Sequence, residues 1–178
     1  MQTFSLESGA NSIDYLVAKP KYTVTKSAHG LTRQFTHANG QVYREYNSHG
    51  WLMGLPVVSV VRGISPETGR QGVARGFLAI GQRAHGFFAI GRFARGYFSF
   101  GQFARARLIA VGQVALAPVA IGQYAIGLAT VAQVAAGIAA VGQVGAAGVG
   151  VFQAGVVLWG GIGMAIYKLP SMLASMMW

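Results

Sequence analysis

The chain has 178 residues, with 14 Lys and Arg against 4 Asp and Glu and no cysteine, which excludes disulfides and thiolate metal sites and leaves the redox compartment open. Apolar residues make up 53% and charged residues 10%, far below the ~25% charge of an ordinary soluble domain, and residues 108–167 contain no Lys, Arg, Asp, Glu or His. A soluble fold of this size does not easily hide such a run, and the net charge of +10, concentrated before Arg107, asks for an anionic partner, either lipid headgroups or a polyanion.

The chain opens MQTFSLESGANSIDYLVAKPK, with no basic start and no apolar h-region, so no cleavable signal peptide is expected. The stretch Leu31–Tyr46 reads as a β-hairpin with Asn39-Gly40 at its turn. Trp51–Arg62 is apolar and β-branched, with Pro56 marking an edge or bulge, and Ser65–Gly69 reads as a turn. Residues 1–70 are therefore expected to form a small β unit that caps the first coil of a repeat. The acids Glu7, Asp14, Glu45 and Glu67 are scattered, and His29, His37 and His49 lack metal-ligand spacing. No catalytic constellation, cofactor motif or metal site is expected.

From residue 72 the chain repeats. Cut after each recurring glycine it reads GVARG FLAIG QRAHG FFAIG RFARG YFSFG, and on to QVAAG IAAVG. Each pentad is x-x-Ala-x-Gly, with small residues in both inner slots from Ala74/Gly76 to Ala140/Gly142 and one extra residue near Arg107 that shifts the register once. The slots are two apart, so in an extended strand they point the same way. On a helix a five-residue step advances about 500°, and the small residues would define no face. The pattern predicts short strands separated by tight glycine corners, two pentads to a coil, over residues 71–147.

A ten-residue period appears in the outward positions. Alternate pentads begin Gln82, Arg92, Gln102, Gln113, Gln123, Gln133 and Gln143. Coils stack at about 4.8 Å, which makes this series a ladder whose amides can bond from coil to coil, a structural role rather than a ligand site. An interior of Ala and Gly has almost no side-chain volume, so the two strand layers must lie very close. The pattern resembles the decapeptide coils of the midge antifreeze proteins, tight solenoids in which cysteine takes the alanine places and bridges the interior. The resemblance covers residues 72 to about 147 and implies the fold alone, because the cysteines and the regular tyrosine row of that family are absent here.

The remaining outward residues sort into two faces. One carries Phe77, Ile80, Phe87, Phe88, Ile90, Tyr97, Phe98 and Phe100, a wall larger than a soluble monomer normally exposes, and is expected to face lipid or a partner. The other begins with Arg75, His85, Arg95 and Arg105 and turns aliphatic. With Arg92 and Arg107 these cations are expected to meet headgroups or another polyanion, since like charges one rung apart repel.

Past Gly142 the repeat frays: Val144–Tyr167 reads as either further coils or one transmembrane helix, and residues 148–178 as an apolar segment, a possible transmembrane or interfacial helix, ending in SMLASMMW. The whole reading is an all-β, thin two-sided β-solenoid with an N-terminal β cap and an apolar or helical C-terminal segment. Its expected role is non-enzymatic: a membrane-embedded or membrane-associated structural protein that self-assembles as a ring, pore or scaffold. Its expected partners are membrane lipid and further copies or a partner membrane protein; nucleic acid is disfavoured. Its expected location is the membrane, with the basic N-terminal part cytoplasmic. Two alternatives stand beside it: a small helical membrane accessory protein with 108–167 as two or three spans, and a soluble ice-binding or polyanion-binding solenoid.

Overall fold

The structure, a computed structural model, describes residues 3–4 and 20–168. The chain divides into two compact units, residues 1–91 and 92–178. Among the described residues the fold is all-β with no helix, a β-solenoid of about six turns.

In the first unit β1 (Thr3–Phe4), β2 (Thr23–Ser27), β3 (Gly30–Thr36) and β4 (Val42–Ser48) form an antiparallel meander. The expected hairpin is present as β3 and β4. Its turn carries Gly40 at φ 79°, closed by the Gly40 N–H donating to the His37 carbonyl (2.9 Å) and the Gln41 N–H donating to Asn39 Oδ1 (3.1 Å). A two-strand finger comes next, β5 (Trp51–Leu52) and β6 (Leu55–Pro56). After it β7 (Val58–Arg62) is the hinge of the topology: it pairs antiparallel with β4 and parallel with β8 (Val73–Leu116), Val58 opposite Leu78 and Val61 opposite Gly81. The meander thus hands over to parallel stacking through a single strand.

The solenoid strand β8 runs on into the second unit, where β9 (Val119–Ile162) and β10 (Ala165–Lys168) complete the fold. Ile109 lies opposite Val119, Ala110 opposite Ala120, and Leu116 opposite Ile126, all in parallel. The ten-residue offset is the two-pentad coil. Every first inner slot from Ala74 to Ala140 is buried, including Ser99 and Thr130. The steric reason is visible at Gly122, where an added Cβ would run into the carbonyl oxygen of Gly112 one coil below. The extra residue falls between Arg107 and Gly112. Arg107 bonds Tyr97, ten residues back, while a Cβ on Gly112 would strike the Gly101 carbonyl, eleven back.

Beyond Gly142 the fold takes the coil alternative. Residues 148–162 continue β9, and β10 pairs with Ala154–Val157 at an offset of eleven. The helix alternative for 148–178 is therefore overturned, with strand at 148–162 and 165–168; the SMLASMMW segment lies outside the described residues. The helical alternative for 108–167 is overturned by the same strands. Gly145, Gly150, Gly155 and Gly160 keep the five-residue beat, and each would weaken a helix by about 1 kcal/mol relative to Ala.

The inner slots of these last coils exchange roles. Glycine takes the first slot, and Phe152 (2% exposed) and Val157 (0%) take the second. A Cβ on Gly145, Gly150 or Gly155 would meet the Phe152 ring. The side-chain volume moves to the second slot and grows there, and the Phe152 ring is accommodated because three neighbouring residues carry no side chain.

Candidate functional site

With the small residues turned inward, the rest of each pentad is forced outward. In the first unit Arg75, Gln82, His85 and Ile90 are exposed, and Phe77, Ile80, Phe87 and Phe88 are half-buried. The rings of Phe77 and Phe87 stack at 4.9 Å with planes 4° apart, and Phe88 sets its edge to both. That spacing is the coil pitch, so the backbone repeat itself produces the stacking.

In the second unit Arg92, Arg95, Arg105 and Arg107 are all exposed, as are Tyr97 and Phe100; Phe98 is half-buried. Arg107 donates from Nη1 to the Tyr97 hydroxyl (3.2 Å), and its guanidinium lies 5.3 Å from that ring's centre. Arg92 donates from Nε to Gln102 Oε1 (3.0 Å) and lies 5.9 Å from the centre of Phe93. Arg92 and Arg107 are thus each held by a polar oxygen and an aromatic face. Gln102, Gln113, Gln123, Gln133 and Gln143 are exposed along one corner, and Gln153 extends the row. Among the described residues no amide-to-amide bond joins Gln113, Gln123, Gln133 and Gln143.

Sequence reasoning missed a second aromatic row. Phe93 and Phe103 stand two residues before Arg95 and Arg105 on the same outward face and stack at 5.1 Å, 9° from parallel. The signal was the second position of each Gln-type pentad, which reads Arg83, Phe93, Phe103, Val114, Tyr124, Val134 and Val144. The cationic face is therefore striped, aromatic beside arginine.

From Leu108 onward both faces are aliphatic and exposed. Val119, Ile121, Ile126, Val131, Ile138 and Val141 show between 41% and 58% of their surface. A groove of about 770 Å³ runs along this part, walled on one side by Ile121, Val131, Val141 and Val151 and on the other by Gln133, Gln143 and Gln153. At the far end Trp159, Tyr167 and Lys168 are exposed.

Among the described residues no cluster of His, Asp or Glu could hold a metal, and no helix is long and apolar enough to cross a membrane. Comparison with protein-family models, with curated proteins and with solved structures found no match.

Proposed function

We propose that the protein is a non-enzymatic structural solenoid whose uncharged coils, residues 108–167, sit in a lipid bilayer. The observation that carries the reading is the exposure of aliphatic side chains on both faces of those coils, with no Lys, Arg, Asp, Glu or His among them. An apolar surface on two sides exceeds the few hundred Å² that soluble monomers leave uncovered.

Three features support the placement. At ten residues and about 4.8 Å per coil, residues 108–167 rise roughly 30 Å, the thickness of the hydrocarbon core. The ends of the run carry interfacial residues: Arg92, Arg95, Arg105, Arg107 and Tyr97 at one, Trp159, Tyr167 and Lys168 at the other. β9 is continuous strand from Val119 to Ile162, through its corners. Bilayers admit only structures whose backbone groups are satisfied internally. A solenoid bonded coil to coil around its whole circumference meets that condition, leaving open edges only at its ends, where headgroups and water can pair them. Pro118 lacks an N–H, but its carbonyl accepts from both Leu128 and Ala129 at 2.9 Å. The glutamine corner is the polar seam of this surface, and in lipid such amides pair with amides. Copies would therefore associate side by side along it, as a ring or scaffold, with the basic N-terminal unit on the cytoplasmic side.

The absence of cysteine makes a clean depth test possible. Single substitutions Arg107→Cys, Val131→Cys and Trp159→Cys, each labelled with a polarity-sensitive fluorophore in proteoliposomes, should show Val131 deepest and the other two near the headgroups. A water-like signal at Val131 overturns the reading.

A further inference from the structure

The finger of the first unit carries a conformational oddity with a function attached. β5 and β6 pair Trp51 with Pro56 and Leu52 with Leu55, leaving Met53-Gly54 as a two-residue turn. Both turn residues have positive φ, 53° at Met53 and 78° at Gly54, the mirror-image turn in which Asn-Gly or Gly-Gly is the low-strain choice. Met53 is the only non-glycine residue with positive φ among the described residues, and an unbranched apolar side chain gains nothing locally from that conformation. Met53 is 83% exposed, beside Trp51 at 70% and the exposed Leu52 and Leu55. Gly54 has nothing within 4 Å of where a Cβ would stand, so the tip projects into open space. Its base, by contrast, is tied down: the Val57 N–H donates to the Gly50 carbonyl (2.9 Å) and the Val58 N–H to Ser48 Oγ (3.0 Å).

We infer that this finger is a membrane-inserting element, with Met53, Leu52 and Leu55 entering the acyl region and Trp51 at the headgroup boundary. Lipid is the occupant the geometry favours. Five residues at a hairpin tip cannot cover the roughly 800 Å² per partner that a stable protein interface buries, whereas a small apolar wedge needs no matching surface in a fluid bilayer. The flanking chemistry suits anionic headgroups. His49 donates its N–H to the His29 carbonyl (3.1 Å) and holds its Nε2 3.1 Å from the Ser27 carbonyl, which brings the β2–β3 turn and the exposed Lys26 to the same end of the unit. The described carboxylates of this unit are engaged elsewhere, Glu45 with Arg33, Tyr43 and Asn47, and Glu67 with Tyr22. The inference stands on the first unit alone and does not require the second unit to span the bilayer.

The test uses the full chain with Leu55→Cys, fluorophore-labelled, in proteoliposomes of phosphatidylcholine and phosphatidylserine. The emission should shift to the blue and be quenched by spin-labelled acyl chains. Adding Leu52→Asn and Met53→Asn should return the probe to its aqueous signal without lowering the melting temperature, because Asn suits the turn better than Met. A probe at Leu55 that stays in water, or that stays quenched after the Asn substitutions, overturns the inference. So does a blue shift that tracks protein concentration in detergent without lipid, which would mark a second copy as the occupant. The Val131 probe reports separately. Lipid contact at Val131 with none at Leu55 removes the finger and leaves the embedded solenoid; the converse removes the embedding and leaves the finger.

Discussion

Thr130 Oγ1 is buried in the solenoid interior with no hydrogen-bond partner, whereas the equivalent hydroxyl of Ser99 donates to the Arg105 carbonyl at 2.9 Å. An unmet buried polar group costs about 1–3 kcal/mol, and valine has nearly the same shape as threonine. Thr130→Val should therefore stabilise the second unit by about 1 kcal/mol or more, read as a rise in thermal midpoint; a fall would mean that the hydroxyl has a partner in solution. Glu45 is the opposite case. Burial disfavours its charged form, but donations from Tyr43, Arg33 and Asn47 outweigh that and hold its pKa below the ordinary value. A depressed carboxyl pKa stabilises the fold above the unfolded pKa, about 4.3, and the contribution disappears as pH falls through the folded value. The thermal midpoint of the first unit should drop on acidification below about pH 4.3, and Glu45→Gln should flatten that dependence while lowering stability at neutral pH. Tyr22 behaves as the basic-side counterpart. Burial first, then its bond to Glu67, push it up to about 12, so its contribution is present below about pH 10 and is lost as pH rises toward the folded value.

At the scale of the coil, two interior solutions coexist. Upstream, alanine fills the first inner slot and glycine mostly occupies the second; around Phe152, glycine fills the first and a large side chain the second. The two are interchangeable only as sets. Gly150→Ala alone should destabilise by about 1–3 kcal/mol, since the methyl meets the Phe152 ring. Phe152→Ala alone should cost about 3–5 kcal/mol for the lost ring. The double variant Gly150→Ala/Phe152→Ala moves this coil towards the upstream pairs Ala104/Ala106 and Ala115/Ala117, and should be more stable than the sum of the single effects. Additive effects in denaturant unfolding would show that the ring and the glycines are not packed as a unit. The same reasoning explains why this region was hard to read in advance. The beat of five persisted in Gly145, Gly150 and Gly155, but the identity expected in each slot had reversed, and a pattern sought as Ala-x-Gly does not match Gly-x-Phe.

For the molecule as a whole, the distribution of charge along the chain decides behaviour more than any single contact. In the second unit Arg92, Arg95, Arg105 and Arg107 precede an uncharged run that lasts to Lys168. Each surface cation near anionic lipid contributes about 1 kcal/mol, or about a factor of five. Replacing those four arginines by glutamine should erase most of the preference for phosphatidylserine over phosphatidylcholine vesicles while leaving the depth of a Val131 probe unchanged. An unaltered lipid preference in vesicle flotation would remove these residues from headgroup contact.

The ten-residue coil, the inward turn of Ala and Gly, the outward cationic row, the aromatic row of Phe77 and Phe87 and the Asn39-Gly40 turn were legible in the amino-acid order, because each arises from local period and side-chain size. The tertiary structure was needed for features set by neighbours far along the chain or by backbone angles. β7 could be recognised as the junction between antiparallel and parallel pairing only once Val58 was seen beside Leu78. Phe152 could be placed inside only once three glycines were seen to make room for it. Met53 looked like one more apolar residue until its positive φ and exposure set it apart. Side-chain size and spacing carry the periodic fold, but which coil must make room for which, and where the backbone bears strain, is decided only when distant residues meet.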